Sequence, residues 1–226
     1  SGLTSAPGEV TITVTNVNEA PTAITLSSTQ VAENEAAGTV VGVLSAEDPD
    51  SGDSHTFALA AGTGDSGNGS FTIAGNQLKT AASFDRESQA SYSIRVRTTD
   101  GGGETFARTF TITVTDVNEA PSIQVGTPVV VYAGETVVLD GSLASATDPD
   151  DDDSALHMVV KSPPAHGTLL VDGSAIGGGG SFSQAQLAAG RLQFSHNGYA
   201  GVSYSFFLRA QDGEGLESDV VEIAVV

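Results

Sequence analysis

The segment TITVTNVNEAP at 11–21 returns almost unchanged as TITVTDVNEAP at 111–121, at an offset of 111 − 11 = 100 residues. At the same offset, SAEDPDSGD at 45–53 returns as SATDPDDDD at 145–153, so two landmarks repeat in phase. A period of this length is too long for one turn of a solenoid and matches a complete small domain. The sequence therefore predicts three parts: 1–20 as the C-terminal strand and linker of a truncated preceding repeat, 21–121 as one domain, and 122–226 as the next.

The pattern around these landmarks is typical of β-strands. Apolar and polar residues alternate in segments that lie between turn residues, at Val10, Ile12 and Val14, at Tyr92, Ile94 and Val96, and at Phe110, Ile112 and Val114. Such alternation predicts half-buried antiparallel strands. The 27 glycines interrupt the chain too often for long helices, and the one short helix candidate is SQAQLAA at 183–189, which ends at Gly190. We expect an all-β fold of tandem Greek-key sandwiches joined end to end.

The composition excludes several classes of protein. The 28 acidic and 8 basic residues give a net charge of −20, which argues against nucleic-acid binding because clustered cations are needed to grip a phosphate backbone. The absence of Cys excludes disulfide scaffolds, thiolate metal sites and cysteine catalysis. No apolar run approaches the roughly 20 residues of a membrane-spanning helix, so we expect no membrane insertion of this segment. Since its start lacks the features of a signal peptide, we interpret the chain as an internal fragment of a larger protein.

The acidic side chains gather where strands are expected to begin or end. In a sandwich these loops collect at two poles, where several carboxylates would converge and repel one another unless a cation is bound. Ca²⁺ fits best, because it accepts six to eight oxygen ligands in a flexible geometry. Zn²⁺ prefers Cys or His, and the four histidines are far apart in the sequence, at 55, 157, 166 and 196. Calcium is therefore the expected cofactor.

Five motifs of the middle domain, taken in order, resemble a cadherin repeat. They are VAENE at 31–35, DPDSG at 48–52, FDRE at 84–87, TTDGGG at 98–103 and DVNEAP at 116–121. The resemblance implies a seven-stranded Greek-key β-sandwich with up to three Ca²⁺ ions in the junction between consecutive repeats. The linkers depart from the family pattern at Glu19 and Glu119, where it has Asp, and at Ala20 and Ala120, where it has Asn.

The resemblance also implies two sets of calcium ligands. One junction would use Glu33, Asp85, Glu87, Asp116, Val117, Asn118 and Glu119, together with Asp148, Asp150 and Asp212 of the following domain. The other junction is only half present, and we expect it to hold at most one ion, with Asn16, Asn18, Glu19, Asp48, Asp50 and Asp100 as its ligands.

The last domain lacks a DRE motif and resembles a different repeat. Its PPAHGTLLVDG at 163–173, FSQAQLAAGRLQFSHNGYAG at 182–201 and SYSFFLRAQDGEG at 203–215 are similar to the chondroitin sulfate proteoglycan (CSPG) repeat. That resemblance implies another cadherin-like β-sandwich. Cadherin-like and CSPG-like repeats on an acidic, cysteine-free chain look like the stalk of a large bacterial RTX-type adhesin, at the cell surface or outside the cell.

Several of these motifs also have simpler interpretations. Each Asp-Pro-Asp could be an Asx turn, Asp85-Arg86-Glu87 could be a surface ion pair, and one or two residues of 151–153 could be solvated charge. We interpret His166 and His196 as turn or packing residues rather than metal ligands. GTGDSG at 62–67 satisfies a phosphate-loop pattern and resembles a serine-protease segment, but a strand follows it, so we predict a hairpin loop.

The leading hypothesis from the sequence is a non-enzymatic adhesion and structural segment whose interdomain Ca²⁺ ions stiffen the chain. Its partners would be the neighbouring repeats of the same chain. The alternative hypothesis is a calcium-dependent module that binds a polysaccharide or another cell-surface protein. An enzyme is disfavoured, because no nucleophile and base lie at the spacing of a known catalytic motif.

Overall fold

The computed structural model describes residue 2, residues 8–199 and residues 204–226. The chain divides into two compact units, Ser1–Val117 and Asn118–Val226, which we call unit 1 and unit 2. Each unit is a β-sandwich with its own hydrophobic core. Among the described residues, no helix has the length and apolar character needed to cross a membrane.

Unit 1 consists of two four-stranded sheets. The strands are β1 Ala23–Leu26, β2 Gln30–Ala32, β3 Val40–Glu47, β4 Thr56–Leu59, β5 Phe71–Ala74, β6 Gln77–Thr80, β7 Ser91–Thr99 and β8 Thr105–Thr115. One sheet has the order β1-β3-β6-β5 and the other β2-β8-β7-β4. Their inward-facing residues form the core, which includes Ile24, Leu44, Leu78, Ile94 and Ile112, all essentially inaccessible to solvent.

The strand count of unit 1 differs slightly from the expected seven. Residues 27–29 interrupt one extended segment, so β1 pairs antiparallel with β3 in the first sheet and β2 pairs parallel with β8 in the second. The segment therefore contributes one strand to each sheet. The expectations for β7 and β8 are confirmed, because these strands pair in register from Ser91–Thr113 to Thr99–Thr105.

In its described residues, unit 2 contains ten strands and one helix. The strands are β9 Ser122–Val125, β10 Thr136–Leu139, β11 Ala144–Thr147, β12 His157–Ser162, β13 Gly167–Val171, β14 Ser174–Ile176, β15 Ser181–Ser183, β16 Leu192–His196, β17 Tyr204–Gln211 and β18 Val221–Val225. Two sheets have the orders β10-β16-β13-β14 and β15-β12-β17-β18, and β9 pairs with β11. The predicted helix is confirmed as α1, Gln184–Ala188, where Ser183 and Gln186 form a reciprocal capping box.

Two local predictions are wrong. Residues 10–14 form no strand, and the side chains of Val10, Ile12 and Val14 are 83–90% exposed, because the described residues offer them neither a neighbouring strand nor a second sheet. The loop at 62–67 is not a hairpin, since β4 pairs with β7 while β5 pairs with β6 in the other sheet. This loop carries the chain from one sheet to the other. The assignment of residues 1–20 to a preceding repeat stays a prediction, and residues 1 and 3–7 of it lie outside the described residues.

The β7–β8 hairpin fixes the two ends of unit 1. Asp100 lies in the turn between these strands, whereas the DRE loop at 85–87 precedes β7 and Asp116 follows β8. Because the two strands run antiparallel over nine residue pairs, Asp100 lies at one end of the hairpin and the other two groups lie at the opposite end. The acidic loops of unit 1 are thus divided between its two poles, as a sandwich requires.

Two adjacent phenylalanines on β17, one buried and one partly exposed, allow a test of how this strand packs against the core of unit 2. Phe206 is fully buried, whereas the Phe207 side chain points outward and the residue is 36% exposed. We expect Phe206→Ala to lower the free energy of unfolding by about 3–5 kcal/mol, because it leaves a cavity in the core. Phe207→Ala is the matched control and should lower it by about 1 kcal/mol or less. Urea unfolding measures both, and equal losses would contradict this orientation of β17.

Candidate metal centres

The first acidic cluster lies at the Asp100 end of unit 1. Asp48, Asp50 and Asp53 follow strand β3, Asp100 occupies the β7–β8 turn, and the residues that approach them are Asn16, Asn18 and Glu19. The Asn18 amide donates to Asp100 Oδ2 at 3.1 Å, and the Glu19 backbone N–H donates to Asp50 Oδ2 at 2.8 Å. The Asn16 amide also donates to Asp50. All six predicted residues of this half-junction are therefore in one place.

The second acidic cluster, in unit 2, repeats this arrangement. The Asn118 amide donates to Asp212 Oδ2 at 2.7 Å, and the Glu119 backbone N–H donates to Asp150 Oδ2 at 2.8 Å. Asp148 lies two residues before Asp150 in the same loop. The chain thus builds the same pair of contacts twice, once in each unit.

The loops that form both clusters are held by their own aspartates. Asp48 Oδ1 accepts from the Asp50 N–H at 2.9 Å, and Asp148 Oδ1 accepts from the Asp150 N–H at 2.8 Å, so each Asp-Pro-Asp is an Asx turn. Asp100 Oδ1 accepts from two backbone N–H groups of its turn, at 2.6 and 2.8 Å. Asp212 Oδ1 does the same at 2.5 and 2.7 Å. One oxygen of each carboxylate therefore fixes a loop while the other remains for a different partner. The turn interpretation of both Asp-Pro-Asp segments is confirmed, and their role as calcium ligands stays a prediction.

A glycine allows the close approach at the first cluster. A Cβ atom at Gly102 would lie 2.3 Å from the Asn18 side chain, a distance that real Cβ contacts do not reach. Any side chain at this position would push Asn18 away from Asp100. This packing explains one glycine of the run at 101–103.

The sequence prediction missed two aspartates of these clusters. Asp53 has a carboxylate oxygen within 4.8 Å of ligand atoms of Asp48 and Asp100, and Asp151 lies equally close to Asp212 and Glu214. Asp53 Oδ2 accepts from the Gly101 N–H at 3.4 Å, and Asp151 Oδ2 accepts from the Gly213 N–H at 2.8 Å. Asp151 is therefore part of the cluster, while 152 and 153 are exposed, as predicted for part of this run.

The third acidic cluster lies at the other end of unit 1, around Glu33. This glutamate is 2% exposed, and its two carboxylate oxygens accept from the backbone N–H groups of Arg86 at 2.8 Å and Val117 at 2.9 Å. Asp85 Oδ1 accepts from the Ser88 N–H at 2.8 Å, which closes the DRE loop. The other predicted ligands of unit 1 at this end are Glu87, next to Arg86, and Asp116, next to Val117.

The Arg86 guanidinium pairs with acidic groups of this third cluster. It lies 2.8 Å from Asp116 Oδ1 and 3.5 Å from Glu87 Oε1. The surface ion pair that competes with the ligand interpretation of the DRE motif is thus present. Both of its carboxylate partners, Glu87 and Asp116, are themselves predicted calcium ligands.

Hydrogen bonds keep the central aspartates ionised. Burial alone would raise the pKa of Asp100, but the Asn18 amide and backbone N–H groups lower it overall, and Asn118 and backbone N–H groups lower the pKa of Asp212 in the same way. The Glu19 N–H and the Asn16 amide lower the pKa of Asp50. The charge of Asp50 in turn raises the pKa of Glu19. Near neutral pH these aspartates are therefore negative.

The donor atoms of the clusters fit calcium. All the side chains proposed as metal ligands offer carboxylate or amide oxygens, which are the ligands that Ca²⁺ prefers. In unit 2, Asp148 Oδ2 and Asp150 Oδ1 are buried without a hydrogen-bond partner among the described residues. Buried carboxylate oxygens of this kind are costly unless a cation satisfies them.

The histidines do not form a metal site among the described residues. His166 stacks on Tyr199 at 4.5 Å between ring centroids, and the Nδ1 of His196 accepts from the backbone N–H groups of Gly134 and Gly198. Both are packing histidines, as the sequence suggested. The sequence did not anticipate that His55 Nε2 lies 3.0 Å from Asp48 Oδ2, at the edge of the first cluster.

Comparisons with known proteins agree with this fold. Residues 27–115 match the family model described as "Cadherin domain", and residues 121–225 match the one described as "Cadherin-like". The chain is 34% identical over 116 residues to chondroitin sulfate proteoglycan 4 of Mus musculus, and 28% identical over 116 residues to extracellular matrix protein 3 of Lytechinus variegatus. These matches cover 51% of the chain but only 5% and 4% of those relatives.

The likeness extends to solved structures. The structure of human protocadherin-24 EC1-2 (Form II) matches with a TM-score of 0.60 and 17% sequence identity, over 93% of this chain and 98% of that one. At this identity the match reports the fold alone. The two family matches, over 27–115 and 121–225, identify two consecutive cadherin-like repeats in the chain, and the structural match agrees with their fold.

Proposed function

We propose that this chain is a non-enzymatic, calcium-binding segment of an extracellular adhesion protein, in which bound calcium stiffens the connection between consecutive repeats. The observation that carries the proposal is the duplicated geometry of the first two clusters. In each, an Asn amide contacts the Asp of a strand turn, and a Glu backbone N–H contacts the second Asp of an Asp-Pro-Asp loop. In the second cluster, Asp148 Oδ2 and Asp150 Oδ1 are also buried without a hydrogen-bond partner among the described residues, and a bound cation would satisfy them.

The side chains at each site would have distinct tasks. Asp100 and Asp212 keep one oxygen on their own turn and present the other, so they would bind a cation without moving the loop. Bound calcium would neutralise carboxylates that otherwise repel one another. The third cluster and the second cluster together contain every ligand proposed for the junction, namely Glu33, Asp85, Glu87, Asp116, Val117, Asn118, Glu119, Asp148, Asp150 and Asp212.

The setting of the segment is also a proposal. The relatives are called extracellular matrix protein and chondroitin sulfate proteoglycan, which supports an extracellular or cell-surface location for this chain. The domain divisions at 1–20, 21–121 and 122–226 and the origin in a bacterial RTX-type adhesin rest on the motifs alone. In this setting the partners are the neighbouring repeats of the same chain.

The energy available from calcium is sufficient for such a role. Extracellular modules bind Ca²⁺ with dissociation constants of about 10⁻⁴ to 10⁻³ M. At ten to a hundred times the dissociation constant, one ion adds about 1.4–2.7 kcal/mol to the stability of the state that binds it. A gain of this size orders a short linker.

A second candidate function is carbohydrate binding by unit 2. Tyr199 is 59% exposed and stacked on His166, which gives an aromatic surface of the kind that sugar rings contact. A Tyr199→Ala variant that loses binding to a polysaccharide retained by the calcium-loaded wild type would favour this function. Absence of binding at millimolar sugar would exclude it.

Isosteric changes at the turn aspartates test the two repeated sites separately. Asp100→Asn should weaken calcium binding at the first cluster, and Asp212→Asn at the second, each by at least about tenfold, because ligand charge sets the affinity of Ca²⁺ sites. Calorimetric titration measures both changes. Asp219→Asn removes the same charge from an exposed position outside the clusters and should leave the affinity unchanged. Retention of full affinity in both turn variants would overturn the proposal.

The stiffening role predicts a change of shape. Small-angle scattering in EDTA should show a broad range of conformations, and millimolar Ca²⁺ should narrow it, since shared ions restrict the linker. A variant carrying Asp116→Ala and Asp148→Ala should stay broad in calcium. If calcium binds to the wild type and its scattering does not change, the ions serve the individual repeats and the stiffening role is wrong.

A further inference from the structure

Arg86 has an unusual position for a basic residue in this acidic chain. Its guanidinium contacts Asp116 and Glu87, both proposed calcium ligands, while Arg191 and Arg209 pair with acidic residues outside the proposed sites. The chain has only 8 basic residues against 28 acidic ones, so composition alone does not account for a basic side chain among the proposed calcium ligands.

The backbone holds Arg86 at the centre of the third cluster. Its N–H donates to Glu33 Oε2 at 2.8 Å, and this carboxylate is buried. The side chain is therefore anchored at its base, while its charged end reaches Asp116 at 2.8 Å. One residue thus contacts three carboxylates of the cluster, one through its backbone and two through its side chain.

The ion pairs themselves are weak enough to exchange. The Arg86 side chain is 42% exposed and that of Asp116 is 54% exposed, so water screens their attraction. Exposed pairs of this kind contribute about 0–1 kcal/mol. A doubly charged Ca²⁺ ion is a stronger partner for carboxylate oxygens than a guanidinium.

We propose that Arg86 is a tethered counter-cation, which partly neutralises the third cluster when calcium is absent and which calcium displaces from Asp116. This role rests on the proposed function, since it assigns a regulator to the same site. Arg86 would stabilise the calcium-free form and at the same time lower the calcium affinity. The calcium concentration at which the linker stiffens would then be set by an arginine as well as by the ligands.

A matched pair of arginine variants tests this role. Arg86→Gln removes the guanidinium but keeps the backbone N–H that binds Glu33. Arg97→Gln removes the same charge from an exposed position of β7 and is the control. Calorimetry should give a calcium dissociation constant two- to fivefold lower for Arg86→Gln than for Arg97→Gln, which corresponds to an exposed ion pair of about 0.4–1 kcal/mol. In EDTA at low ionic strength, Arg86→Gln should also melt at a lower temperature than the control, because the carboxylates lose their counter-cation.

The outcomes separate this inference from the proposed function. If wild type and Arg97→Gln bind calcium and Arg86→Gln binds it equally or more weakly, the competing role of Arg86 is wrong while the calcium proposal stands. If no variant binds calcium, both are wrong. Equal melting temperatures of the two variants in EDTA would overturn the neutralising role, whatever calcium does.

Discussion

Asp100 and Asp212 each accept two backbone N–H hydrogen bonds through one oxygen and leave the second oxygen for a neighbour. This division within a single carboxylate underlies the candidate sites. The first oxygen makes the loop rigid, so the second has a defined direction, and an Asn from the preceding linker occupies it in both units. A carboxylate that could rotate freely would bring the same negative charge to the cluster, but it would not hold its second oxygen in a fixed direction.

The hydrophobic cores provide the stability that the acidic loops lack. Like charges near one another raise the free energy of the folded chain, and no dense set of basic residues offsets them. The loops are held by strands whose inward residues are fully buried, such as Ile94 and Ile112 in unit 1 and Phe206 in unit 2. The apolar interior therefore stabilises a surface that is electrostatically unfavourable without a cation.

The sequence predicted the fold class well, because alternation at β7 and β8 and the glycine that follows α1 are local signals. Six residues of the first cluster were expected from the resemblance of their motifs to a cadherin repeat, and hydrogen bonds in the structure bring them together. The sequence prediction failed at Val10, Ile12 and Val14, because alternation describes a strand only where a partner is present. It also missed Asp53 and Asp151: the in-phase equivalent of Asp53 is Asp153, yet the structure places Asp151 on the matching glycine contact. The in-phase position in the sequence therefore does not decide which aspartate makes this contact.

The two hydrogen bonds of Glu33 have a consequence for synthesis of the chain. Its partner Val117 lies 84 residues later, and β2, which ends directly before Glu33, pairs with the last strand of the unit. A growing chain that stops short of residue 105 has no β8 to close this end, and one that stops short of residue 117 still lacks the second partner of Glu33. Bringing two such distant segments together costs loop entropy that only the completed sandwich offsets. The third cluster is thus assembled at the end of the unit's translation, when the linker to the next repeat is already being made.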